Sequence, residues 1–182
     1  MISSLILELA QESGRDPSRM EVRSVEAIVK SLNSAGVRYL IVGGLAVNAH
    51  GFVRLTRDVD IVLALDPPNA ARGLHALLDI GYRMSIPALP EDFADPGIRE
   101  DWRRSKEMIV LKLWSDEHRR TPVDIFVYEP FEFTTELESA ATLEVCPGLA
   151  APVVSLKTLL EMKRIAGRPQ DLIDIEELQR MR

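Results

Sequence analysis

The chain is 182 residues long, 46% hydrophobic, and carries a formal net charge of -6. That length bounds it to one compact domain, or one domain with a small helical appendage. The acidity excludes a broadly basic nucleic-acid-binding surface but leaves room for a local patch.

Residues 1–19 are weakly patterned and lack both the basic region and the long apolar core of a signal peptide. Gly14, Asp16 and Pro17 separate them from the first periodic segment. There Val22, Val25, Ile28, Val29 and Leu32 recur at helical spacing, and Gly36 ends that helix. Residues 39–42 form a short apolar strand. Gly43 and Gly44 turn the chain into a helix of about two turns, which Gly51 stops. A second strand covers 59–63. Pro67 and Pro68 open a helix that Gly81 closes. The Pro-rich, charged stretch 87–106 reads as an excursion over the surface. Strands are expected over 108–114 and 123–128, with a polar turn between them. Residues 130–154 show no decisive pattern, and Pro147 and Pro152 mark irregular backbone. Ser155 is placed to cap a helix over 156–166, Gly167 to end it, and Pro169 to start the last helix. There are no internal repeats. The whole predicts an α/β (α+β) protein: a small mixed sheet flanked by helices, with a C-terminal helical segment. No segment reaches transmembrane length. The single cysteine, Cys146, permits neither an intramolecular disulfide nor a cysteine-rich zinc cage. A cytoplasmic protein with no membrane partner is the expectation.

Three features carry chemistry. Asp58, Val59 and Asp60 lead into the second strand, where alternation puts both carboxylates on one face and Val59, Ile61 and Leu63 on the other. Two carboxylates about 6–7 Å apart at Cα can converge on one hard cation or flank two, and a divalent ion removes their mutual repulsion. The plain alternative is the polar face of an edge strand. Gly43-Gly44 follows a strand and precedes a helix, whose free N–H groups and positive dipole end suit a phosphate. The alternative there is a tight turn that needs glycine only for backbone freedom. The chain has neither G-x-G-x-x-G nor G-K-[ST], so a dinucleotide fold and a Walker P-loop are both unsupported. Third, Asp124 interrupts the apolar run Val123 to Val127. A carboxylate there needs a partner. A metal shared with Asp58 and Asp60 would supply one, and a solvent-facing strand end is the alternative.

The pattern G-G-x-A-x(3)-H-G-x(2)-R-x-T-x-D-x-D, followed by a separate strand Asp, resembles the minimal nucleotidyltransferases of the polymerase-beta-like superfamily, and within it the AbiEii-like, toxin–antitoxin-associated nucleotidyltransferases. The segment Met162 to Ile175 resembles the K-x-x-A-x-R-x-K-D-x-x-D signature of those proteins. The likeness implies a nucleotidyltransferase core over 20–154, with residues 155–182 packed on it as a helical segment and 1–19 as an extension. It implies that Gly43 and Gly44 hold the triphosphate of an NTP. Asp58 and Asp60 would bind two Mg²⁺ ions, with Mn²⁺ as a substitute, and Asp124 would complete the metal that activates the attacking hydroxyl. Lys163 and Asp171 would face the nucleotide. Gln170 departs from the pattern, because the family often has a basic residue there.

Arg54 and Thr56 lie on the approach to the metal strand and are added to the nucleotide-binding set; a structural ion pair is the competing role for Arg54. His50, at a helix end, is expected to cap or pack. Arg99, Arg103, Arg104 and Lys106 form a local basic cluster, read as a solvated face or a contact for RNA or the triphosphate. The expected activity is transfer of an NMP from an NTP to an acceptor hydroxyl on tRNA, protein or a small molecule. No serine or cysteine nucleophile is required. A role in a toxin–antitoxin pair would bring a cognate antitoxin or toxin as partner. Two competing readings are a nucleotidyltransferase-fold binding module without turnover, and an unrelated α/β scaffold whose carboxylates form structural ion pairs.

Overall fold

The computed structural model of the protein describes residues 20–181, so the extension expected over 1–19 lies outside the described residues. In chain order the elements are α1 (Val22–Ser34), β1 (Tyr39–Ile41), α2 (Gly43–Ala49), β2 (Val59–Leu63), α3 (Pro67–Asp79), β3 (Tyr82–Met84), α4 (Pro90–Ala94), α5 (Pro96–Ser105), β4 (Val110–Ser115), β5 (Val123–Phe126), α6 (Phe133–Glu138), β6 (Ala141–Cys146), β7 (Leu149–Val153), α7 (Leu156–Ala166) and α8 (Pro169–Arg180). The strands form one mixed sheet in the order β3-β4-β5-β2-β1-β7-β6. The β2–β5 and β1–β7 pairs are parallel and the remaining pairs antiparallel. This is the α/β architecture the periodicities predict, with a larger sheet.

The centre of the sheet is covered on both faces. Tyr39, Leu40 and Ile41 of β1 are all buried, as are Val59, Ile61, Val62 and Leu63 of β2. Helix α1 buries Val25, Ile28, Val29 and Leu32, a stripe at i, i+3, i+4 and i+7, and packs with α3. Asp66 caps α3 by accepting from the Asn69 backbone N–H, and Pro67 occupies its first turn. Away from the centre the burial alternates. Leu111, Leu113 and Ser115 of β4 point into the core, whereas Lys112 and Trp114 are exposed. One face of the β3–β4 wing is therefore open.

Two expectations need correction. Residues 87–106 are no mere surface excursion: they form α4 and α5, which sink Phe93 and Trp102 into the core. Pro90 and Pro96 each start a helix, because proline's fixed φ and missing N–H suit the first turn. Arg99 in this stretch is also buried; it donates to the carbonyls of Phe93 and, at 3.1 Å, of Leu65. It belongs to the core, while Arg103, Arg104 and Lys106 are exposed. Residues 130–154 hold α6 and the β6–β7 hairpin, whose turn uses Gly148 at φ 81. Pro152 sits within β7.

Candidate active site

β2 and β5 run parallel in a register that pairs Asp60 with Asp124. The two carboxylates therefore leave the same face of adjacent strands. Asp58, two residues before Asp60, joins them: one carboxylate oxygen from each of Asp58, Asp60 and Asp124 lies within 4.8 Å of the others. Asp58 and Asp60 are half-buried and Asp124 is buried. The Thr56 hydroxyl stands 3.5 Å from Asp58 Oδ1, and Lys112 Nζ stands 3.6 Å from Asp124 Oδ2.

The electrostatics of this trio are unfavourable as it stands. Burial, with the charges of Asp58 and Asp124 added, pushes the Asp60 carboxyl up to about 7. Arg168 and Lys163 oppose that rise without cancelling it. Asp124 is also raised, by burial first; Lys112 pulls it down and Asp58 pushes it up. The Asp60 carboxylate accepts no hydrogen bond and makes no ion pair among the described residues. A half-buried, orphaned carboxylate beside two others is a donor set suited to a hard divalent cation.

The glycines explain how that carboxylate reaches the backbone. Gly43 has φ +63, and a Cβ there would stand 1.9 Å from Asp60 Oδ2. A Cβ on Gly44 would stand 2.2 Å from Thr56 Oγ1. Both residues open α2, whose first N–H groups have no partner within the helix. The backbone start of α2, Asp60 and Thr56 are thus in mutual contact distance only because neither position carries a side chain.

A second charged cluster lies on α7 and α8. Lys163 Nζ is buried 2.9 Å from Asp171 Oδ1 and 2.7 Å from Asp174 Oδ2. Arg168 Nε donates to Asp171 Oδ2 at 2.7 Å. Arg54 grips the fully buried Asp174 with both Nε (2.6 Å) and Nη2 (2.8 Å). Burial raises Asp171 and Asp174, but the hydrogen bonds of Arg168 and Lys163 to the first, and of Arg54, Lys163 and Gln170 to the second, outweigh it and hold both below the usual carboxylate range.

Of the two roles open to Arg54, the structural ion pair is the one seen. Its carboxylate is Asp174, not Asp58 or Asp60, and its main chain exchanges two 3.0 Å hydrogen bonds with the Asn48 side chain. His50 packs as expected, with Nε2 2.8 Å from the Val154 carbonyl. Gln170 hydrogen-bonds Asp174 at 3.0 Å, so the amide is used where a charge was expected. Arg168 and Lys112 were not singled out from the sequence, yet both influence the trio. Arg168 lies in the α7–α8 signature and was legible there; nothing in the pattern of β4 marks Lys112.

No family model matches the chain, and no curated protein matches it. Among solved structures, it is similar to the lincosamide antibiotic adenylyltransferase LnuA in its lincomycin-bound form, with 18% identity, TM-score 0.59, and coverage of 88% of this chain and 98% of that one. It is also similar to ANT(2")-Ia in complex with adenylyl-2"-tobramycin, with 14% identity, TM-score 0.56, and 86% of each chain covered. A nucleotidyltransferase-like antigenic protein from Paracoccidioides brasiliensis shares 18% identity at TM-score 0.54, over 86% of this chain and 74% of that one. The chain has the nucleotidyltransferase fold. Among the described residues no helix is long and apolar enough to cross a membrane.

Proposed function

We propose that the protein is a divalent-metal-dependent nucleotidyltransferase that moves an NMP from an NTP to an acceptor hydroxyl. The observation that carries this is the convergence of Asp58, Asp60 and Asp124 within 4.8 Å on a nucleotidyltransferase fold. Asp58 and Asp60 would hold two Mg²⁺ ions, with Mn²⁺ as a substitute, and Asp124 one of them; when bound, they supply Lewis acidity at the α-phosphate and acidify the acceptor hydroxyl.

The chain's own groups do the rest by position and charge. Gly43 and Gly44 leave the start of α2 open to a triphosphate. Thr56 steadies Asp58. Asp124, whose carboxyl burial raises from its ordinary value, takes the proton of the attacking hydroxyl. The hydroxyl oxygen bonds to the α-phosphorus, the bond from that phosphorus to the bridging oxygen breaks, and pyrophosphate leaves with the electron pair. Lys163 and Asp171 serve the site from behind, as the buried pair that fixes α8 and Arg168 beside Asp60. The resemblance to toxin–antitoxin nucleotidyltransferases adds a cytoplasmic setting and a cognate antitoxin or toxin as partner.

The test is incubation with each α-³²P-labelled NTP and Mg²⁺ in the presence of tRNA, cell protein or small-molecule hydroxyl acceptors, with Asp60→Asn as control. Label on one acceptor pool, absent from the control, is the expected result. Metal-dependent NTP binding without transfer to any pool would replace the proposal with a non-catalytic binding module. No metal-dependent NTP binding at all would make the carboxylates structural.

A further inference from the structure

The cations around the carboxylate trio are held in different ways. Lys163 is buried and shared between Asp171 and Asp174. Arg168 is tied to Asp171. Both reach Asp60 only through space. Lys112 instead touches the trio itself. It stands opposite Asp124 in the β4–β5 register, so Asp60, Asp124 and Lys112 form a row across three adjacent strands. The contact is loose: Nζ lies 3.6 Å from Asp124 Oδ2, longer than the about 2.7–2.9 Å of a close charge-assisted hydrogen bond. The Lys112 side chain is 68% exposed, whereas that of Asp124 is 13% exposed. Among the described residues Lys112 meets no second carboxylate. Val110 and Trp114, its neighbours on the same face of β4, carry no charge.

An ammonium on a flexible four-carbon stem, held at the surface by one loose pair, leaves at little cost. A divalent cation ligated by Asp124 would put a double positive charge beside it. Like charges a few ångströms apart repel, and the exposed monovalent partner is the one with water to retreat into. Asp58 and Asp60 have no cation in contact: the first meets the Thr56 hydroxyl, and the second meets no partner among the described residues. The three carboxylates are thus unequal in what a metal must displace to reach them.

Resting on the metal-binding part of the proposed function, we infer that Lys112 is a tethered counter-cation that competes with the divalent metal for Asp124. It neutralises Asp124 before an ion binds and is driven off when one is ligated there. The Asp58–Asp60 side of the trio takes an ion without competition, and the Asp124 side is loaded later and more weakly. Asp124 is also the group that takes the acceptor's proton in the proposed reaction, so Lys112 keeps that carboxylate engaged until the metal is in place.

Titration of the full chain with Mn²⁺, with free Mn²⁺ followed by electron paramagnetic resonance and no NTP present, tests the competition directly. Lys112→Gln is expected to tighten Mn²⁺ binding by about three- to tenfold, the size of a loose surface pair set against a divalent charge. Lys112→Arg keeps the charge and should bind as wild type does. In an Asp124→Asn background Lys112→Gln should change nothing, because the contested carboxylate is gone. In about 1 M KCl, where the Debye length falls to about 3 Å, the gain should shrink. Lys157→Gln, the same charge change on the exposed side of α7, should leave binding unchanged. Circular dichroism of each variant shows that the fold is retained. Equal or weaker Mn²⁺ binding in Lys112→Gln overturns the inference, and a weaker one makes Lys112 an orienting partner of Asp124. An equal gain in the Asp124→Asn background also overturns it, as a general effect of charge. Absence of Mn²⁺ binding in every variant overturns the inference together with the metal site. If Mn²⁺ binding depends on Lys112 in a protein that transfers no NMP, the transfer chemistry is wrong and the competition stands.

Discussion

Two carboxylate clusters sit on neighbouring parts of this molecule and have opposite fates. Asp171 and Asp174 are buried deeper than Asp58 and Asp60, yet they are held below the usual carboxylate range because Lys163, Arg54 and Arg168 surround them. The direct contacts of Asp58, Asp60 and Asp124 are Lys112 at 3.6 Å and a weak hydroxyl contact; Arg168 and Lys163 act on Asp60 only through space, and it rises to about 7. Burial raises Asp60, Asp124, Asp171 and Asp174 alike; what separates the two clusters is the supply of hydrogen-bonded cations from the chain. The first cluster is complete as a structural element. The second is left one positive charge or more short, as expected of a site whose cation comes from solution.

The largest effect should come from breaking the complete cluster. Asp174→Ala strands Arg54 and leaves Lys163 with Asp171 alone, and removing one partner of a buried pair costs about 3–5 kcal/mol. Urea denaturation should show that loss, and a change below about 1 kcal/mol would mean the network is slack. The incomplete cluster should respond in the other direction. Asp60→Asn is expected to reduce transfer by about 10²–10³-fold, the size of a lost electrostatic contact to the reacting group, while leaving the metal-free protein at least as stable as wild type.

The pH dependence sharpens the contrast. A folded-state carboxyl raised to about 7 binds its proton more tightly than in the unfolded chain. Its contribution is stabilising at low pH and is lost as pH rises from about 4 through about 7. In EDTA, wild type should therefore lose stability relative to Asp60→Asn over that window, by up to about 1 kcal/mol per pH unit, and Mn²⁺ should cancel the difference. Parallel curves in EDTA would show that Asp60 is not perturbed.

Gly43→Ala should cost roughly 1–3 kcal/mol, because φ is +63 and the new methyl would meet Asp60. Calorimetry should show weakened Mn²⁺ binding in the same variant, since the displaced group is one of the metal-binding carboxylates. The smallest effect is expected at Arg168→Gln. Its side chain is largely exposed, so its pair with Asp171 should contribute under about 1 kcal/mol. Asp60 would nevertheless lose an attractive charge, and the pH midpoint of Mn²⁺ binding should move upward.

What could be read from the sequence came from local rules. Period-two alternation puts Asp58 and Asp60 on one face, and an acid inside the apolar run of β5 asks for a partner. Glycine between a strand and a helix pointed to a close backbone approach, which Gly43 makes to Asp60 itself. The misses depended on distance along the chain or on punctuation. The carboxylate that holds Arg54 is 120 residues away, so no spacing rule could choose it over Asp58. Pro90 and Pro96 looked like loop markers, whereas each occupies a helix's first turn and few apolar residues betray α4 and α5. Nothing in the pattern of β4 marks Lys112; only its register with Asp124 joins it to the site.

The Arg54–Asp174 grip also sets an order of events during synthesis. The loop leading to Asp58 emerges early, but the carboxylate that grips its Arg54 side chain arrives 120 residues later. At about 5–20 residues per second, that is a wait of roughly 6 to 24 seconds. Through that interval Asn48 can already hold the Arg54 main chain, while the Arg54 guanidinium waits for its carboxylate until α8 docks.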